Sequence, residues 1–132
     1  MKKFTSAVLA ILLIAALSAC GSSSFQFDKA AAISTAENAV EVIDTRDYDA
    51  IVKLFREDLQ SQTSADSIKS AWDSPLAAAG DFVGYKSETA TAITQSGTDY
   101  IVVVLTAEYQ NSTLTYTISL DTDMNIAGMY MK

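Results

Sequence analysis

The chain has 132 residues, 49% of them apolar, with 9 Lys+Arg against 16 Asp+Glu, no His and a single Cys. That length and apolar share fit one domain with a packed core and exclude wholesale disorder. The absence of His excludes Ser-His-Asp and Cys-His nucleophilic chemistry and most zinc sites.

Lys2 and Lys3 are followed by an unbroken run of eleven apolar residues, Ala7 to Leu17. This is the pattern of a signal peptide, and it falls short of the roughly 20 residues a membrane span needs. Leu17-Ser18-Ala19-Cys20-Gly21 then resembles the lipobox of bacterial lipoproteins, in which the Cys thiol is acylated and the preceding bond is cut. Residues 1–19 are therefore expected to be removed, Cys20 to carry lipid and residues 20–27 to form a tether. Loss of Lys2 and Lys3 leaves 7 basic against 16 acidic side chains, a net charge near −9. Two acyl chains suffice for stable anchoring. The acidic surface disfavours nucleic acid and anionic membrane surfaces as partners. The expected location is the outer face of a bacterial cell membrane, with an envelope protein or cell-wall component as partner.

Residues 28–132 are expected to form a single α+β domain of three helices and four strands. Ile33, Ala36, Val40 and Ile43 recur at spacings of three and four, which predicts a first helix over 28–43. Tyr48, Ile51, Val52, Phe55 and Leu59 repeat that spacing and predict a second, unbroken helix. Thr63-Ser64-Ala65-Asp66 reads as a capping box with Asp in place of Glu, opening a third helix that carries Ile68, Ala71 and Trp72. Pro75 either bends that helix or starts a new short turn, and Gly80 stops it. Beyond Gly80 the period changes to two. Strands are predicted over 82–94, 100–109, 113–120 and 126–131, joined by short turns into an antiparallel meander. In the third, Leu114, Tyr116, Ile118 and Leu120 alternate with Thr113, Thr115, Thr117 and Ser119, so one face is buried.

This element order resembles the cystatin-like or nuclear transport factor two-like cone. Asp47-Tyr48, Trp72, Gly80-Asp81-Phe82 and the closing segment from Leu120-Asp121 to Ile126-Ala127-Gly128-Met129 resemble the domain of unknown function 3887 family of Gram-positive lipoproteins. Arg46 stands where a small residue often precedes Asp-Tyr. Asp123-Met124-Asn125 replaces a more usual Asp-Gly-Lys turn. The resemblance implies a fold, three helices on a curved four-stranded sheet, and a location. It carries no assigned activity or catalytic residue.

Asp121-Thr122-Asp123-Met124-Asn125 mimics the start of a calcium loop, but Ile126 replaces the turn glycine and Lys132 the bidentate Glu, so a polar hairpin turn is expected and no metal is assigned. Asp47 and Asp49 are expected to serve a helix start, with Asp44 less well accounted for and Asp81 near the third helix end. No cofactor is implied. The aromatic residues Tyr48, Phe55, Trp72, Phe82, Tyr85, Tyr100 and Tyr116 are expected to fill the core. In the alternative they line a pocket for a small hydrophobic ligand or for minor lyase or isomerase chemistry, with Tyr48, Trp72, Tyr85, Tyr100 and Tyr116 as candidate lining. Glu108, the nearest acid in sequence, should point away from the face that Tyr109 occupies. A non-catalytic binding or interaction module is the expected function.

Overall fold

The computed structural model describes residues 25–132. Residues 1–19 and Cys20 lie outside the described residues. The last residues expected in the tether do pack: Phe25 and Phe27 sit 6.0 Å apart, ring to ring, against the core.

Helix α1 spans Lys29–Asp44, and the Asp28 carboxylate caps its first turn by accepting from the Ala31 amide at 3.0 Å. Its buried stripe is Ala32, Ala36, Ala39, Val40 and Ile43. Three alanines in that stripe let the helix axis lie close over the sheet, so the bulk is supplied from the strands. The predicted second helix is instead two short ones, α2 (Tyr48–Val52) and α3 (Glu57–Gln60). The break follows from competition for backbone hydrogen bonds. Phe55 forms a parallel bridge to Ile126, and the Arg56 amide donates to the Ile126 carbonyl at 2.7 Å rather than to a helical carbonyl. The Arg56 guanidinium then grips Asp58 at 2.7 and 3.2 Å and Asp121 at 3.4 Å. The apolar spacing was helical, but a tertiary pairing interrupted it.

Helix α4 spans Ala65–Ala79 and passes through Pro75. Its N-cap is Ser64, whose hydroxyl accepts from the Ser67 amide at 3.1 Å, one position later than the capping box predicted. Gly80 ends the helix at φ +85°, where a Cβ would come within 3.0 Å of the Asn111 side chain. The helix end is held from the sheet side: Asn111 donates from its amide to Ala79 O at 2.8 Å and from its side chain to Ala78 O at 3.2 Å.

The sheet is a four-stranded antiparallel meander in the order β1 (Phe82–Gln95), β2 (Thr98–Tyr109), β3 (Thr113–Leu120) and β4 (Ile126–Met131). Ser96 and Gly97, both at positive φ, make the two-residue turn between β1 and β2. Ile101, Val103, Leu105 and Ala107 of β2 and Leu114, Tyr116, Ile118 and Leu120 of β3 form the helix-facing core. Each fully buried Leu or Ile contributes about 1.5–3 kcal/mol. Two register shifts in β1, between Phe82 and Gly84 and between Tyr85 and Ser87, alter the simple alternation. Tyr85 therefore pairs with Ala107 and Glu88 with Leu105, which places both on the helix-facing side. Among the described residues the architecture is an open sheet with four helices packed against it, not three. No helix among the described residues is long and apolar enough to cross a membrane.

Candidate functional site

An open cavity of about 360 Å³ lies where the C-terminal ends of α1 and α4 meet the start of β1 and the end of β2. Its walls are Asp44, Arg46, Leu76, Ala77, Gly80, Asp81, Phe82 and Tyr109. The volume is at the lower end of the range typical for small-molecule sites. Two other concavities, of about 380 and 710 Å³, lie beside the α2–α3 link. Of the two cations lining the first of these, Lys53 and Arg56, the arginine is already engaged by Asp58 and Asp121.

The chemistry of the 360 Å³ cavity centres on Asp44. The Tyr109 hydroxyl donates to Asp44 Oδ1 at 2.5 Å and lies 2.7 Å from the Tyr116 hydroxyl. Since Tyr109 spends its proton on Asp44, Tyr116 is the donor in the second bond, giving a chain from Tyr116 through Tyr109 to the carboxylate. Burial raises the Asp44 carboxyl above the usual Asp range; the Tyr109 bond opposes that shift, and the Glu41 charge adds to it. The residue also closes α1, where the helix dipole disfavours an anion. Burial, the bond to Asp44 and the bond to Tyr116 push the Tyr109 hydroxyl far above its ordinary range, so it stays protonated at physiological pH. Tyr116 is raised chiefly by burial.

An aromatic wall continues from this pair. The Phe82 ring packs edge to face on Tyr85 at 5.0 Å and on Tyr109 at 5.6 Å, while remaining 40% exposed at the mouth. Burial raises Tyr85, and the charges of Glu37, Asp44, Glu88 and Glu41 add to the shift. On the same flank the Glu37 carboxyl is raised to about 7, first by its hydrogen bond to Glu88, then by burial and by the charges of Glu88 and Glu41. This side of the molecule is thus strongly negative. Arg46, at φ +58°, lies on the cavity wall, but its guanidinium is 3.7 Å from Asp73.

The candidates named from sequence separate into three places. Tyr116 belongs to the hydrogen-bond chain behind the cavity wall, and Tyr85 packs its ring on Phe82 of that wall. Tyr48 is buried between α2 and α4, where its hydroxyl donates to Asp73 at 2.8 Å and is raised to about 12 by burial and then by that bond. Trp72 packs half-buried against the core from α4, outside the cavity lining. Tyr100 pairs with Ile93 and precedes the core residue Ile101, so it lies on the sheet face turned away from the helices. Phe55 is a core residue beside Ile126. Glu108 is exposed on the opposite face from Tyr109.

Asp47 caps α2 by accepting from the Ala50 amide at 3.2 Å, and Asp49 sits in that helix's first turn. Asp121 accepts from the Asp123 and Asn125 amides at 2.9 Å, so its carboxylate organises the β3–β4 turn. Tyr109 was absent from the aromatic candidates, although its alternation with Glu108 had placed it inward.

With this geometry in hand, a family model described as "Protein of unknown function (DUF3887)" matches residues 36–129. The chain belongs to the DUF3887 family. Among solved structures, the fold is similar to the NMR structure of a protein from Ruminococcus gnavus ATCC 29149. That likeness has a TM-score of 0.75 and 22% identity, and covers 85% of this chain and 97% of the other. It shows that the two share a fold. No curated protein matches the chain. The DUF3887 match takes in α1 from Ala36 onward, Asp44, Gly80, Phe82, Tyr109 and Tyr116, so the cavity is built from family-domain residues.

Proposed function

We propose that this chain is a lipid-anchored binding module of the bacterial envelope that holds a small ligand in the cavity beside Asp44 and Tyr109 without turning it over. The observation that carries the reading is the 360 Å³ opening with a half-buried carboxylate and a phenol hydroxyl bonded together in its wall. Phe82 at the mouth supplies the apolar contact that small-molecule sites combine with a few placed polar groups. Binding is favoured over acid-base turnover because Tyr109 is held protonated and already donates to Asp44, which leaves no poised base and acid on opposite sides of a substrate.

The anchor rests on the lipobox-like approach to Cys20. With Phe25 and Phe27 packed on the domain, only Gly21 to Ser24 remain as tether, a reach of roughly 14 Å at full extension. The cavity would then work within a short distance of the lipid headgroups.

Two measurements test the proposal. A Cys20→Ala form should leave the membrane fraction, and equal retention would contradict the anchor. A fragment screen of the whole chain, followed by amide shifts, should map its hits to Asp44, Gly80, Phe82 and Tyr109. Hits clustering on the outer sheet face around Tyr100, or no hits at all, would overturn the cavity reading.

A further inference from the structure

We infer that the ligand of this cavity carries an organic ammonium group, held by the Asp44 and Asp81 carboxylates against the Phe82 and Tyr109 rings; this rests on the cavity being a binding site. Asp44 is half-buried at a helix C-terminus, and among the described residues its carboxylate takes its one side-chain hydrogen bond from a neutral phenol at Oδ1. Among the described residues, no cationic side chain forms an ion pair with it. Among the described residues the one cationic side chain on the cavity wall, Arg46, lies 3.7 Å from Asp73 of α4. Asp81 adds a second carboxylate at the mouth; its backbone is tied to Gln110 while its side chain is exposed. A desolvated carboxylate without a counter-ion is stabilised by a ligand cation far more than by a neutral or anionic group.

The rings select the kind of cation. Phe82 is 40% exposed at the cavity rim and packs on Tyr85 and Tyr109, so a cation entering toward Asp44 passes over aromatic carbon. An alkylated ammonium sheds water more readily than a metal ion and gains cation–π attraction there. Glu37, Glu41 and Glu88 raise Tyr85, whose ring packs on Phe82, so the aromatic side of the cavity borders a negative field. Such an ammonium can belong to a free solute or to a lipid headgroup, and the short tether would keep both within reach.

The test is an amide-shift titration of the whole chain in nonionic detergent with tetramethylammonium chloride, with tert-butyl methyl ether as an uncharged probe that presents a similar trimethyl cap, and with sodium chloride as a salt control. Tetramethylammonium is expected to shift Asp44, Gly80, Phe82 and Tyr109 saturably, with the ether and sodium at least tenfold weaker. Asp44→Asn should weaken binding about tenfold, and Phe82→Leu about two- to fivefold. A parallel arm places the chain in phosphatidylethanolamine and phosphatidylglycerol nanodiscs. Shifts at the same residues only with the ethanolamine lipid identify a headgroup ammonium, and shifts with the soluble probe alone identify a free solute. Equal binding of the ether and the cation overturns the ammonium inference and leaves the cavity reading standing. Failure of every probe in both arms, with Asp44→Asn folded, overturns the ammonium inference; a fragment screen that also finds no hit in the cavity overturns the binding reading with it.

Discussion

Tyr109→Phe removes one oxygen that two partners depend on. Among the described residues its hydroxyl gives the Asp44 carboxylate its one side-chain hydrogen bond, and it accepts a hydrogen bond from the hydroxyl of the buried Tyr116. A hydrogen bond to a charged group contributes about 1.5–3 kcal/mol, and the low end applies because Asp44 is only half-buried. The orphaned Tyr116 hydroxyl adds about 1 kcal/mol. The expected loss at pH 7 is therefore about 2.5 kcal/mol, or roughly 10–20 °C in Tm for a domain of this size. The sign of the pH dependence follows from the carboxyl. Its folded value already lies above the ordinary 3.8, so its contribution is fully present below 3.8 and is lost as pH rises through the folded value. Without the Tyr109 bond that value rises further, and the variant's deficit should be about 1 kcal/mol larger at pH 7 than near pH 3.5. Urea unfolding followed by Trp72 fluorescence reads both quantities. A deficit below about 0.5 kcal/mol, or one independent of pH, would refute the proposed hydrogen-bond chain.

Other perturbations separate the cavity from the scaffold. Glu37 is raised to about 7 in the folded state, so the chain should lose stability as pH rises from 5 to 8; Glu37→Gln should flatten that slope, and an unchanged slope in urea melts would contradict the pairing with Glu88. Tyr48→Phe breaks the bond to Asp73 and should cost about 1 kcal/mol while leaving ligand shifts at Asp44 and Tyr109 unchanged, since Tyr48 is not in the cavity lining. Ser96 is exposed at φ +53° beside Gly97, and Ser96→Asn should raise stability by about 0.5 kcal/mol in calorimetry because Asn accepts the left-handed conformation more readily. Gly80→Ala should destabilise by at least about 1 kcal/mol, from its positive φ and its contact with Asn111, and a neutral result would contradict the helix-end geometry.

Most of the scaffold was legible because its signals are local. The period-two run from Thr113 to Leu120, the apolar stripe ending at Ile43 and the short turns between strands each mark an element without reference to the rest of the chain. The break at Phe55 was not legible, because its cause is the carbonyl of Ile126, some seventy residues away. Arg46 and Met124, the two departures noted from the family pattern, both sit at positive φ, which gives a physical reason for small residues at such positions.

The candidate site was less legible than the fold. Alternation placed Glu108 outside correctly, yet it could not say that Asp44 would replace it as the carboxylate meeting Tyr109. That meeting depends on the length of α1 and its docking over β2. Tyr85 and Glu88 share a face only because of irregularities in β1 that the sequence does not announce.

The central claim is that the cavity between the ends of α1 and α4 receives a ligand. It is tested most directly by intermolecular nuclear Overhauser effects between the tightest-binding fragment and the aromatic protons of the whole chain. Cross-peaks to the rings of Phe82 and Tyr109, lost in Asp44→Asn, are the predicted result. Cross-peaks confined to Tyr100 and Tyr130 on the far side of the sheet would contradict it.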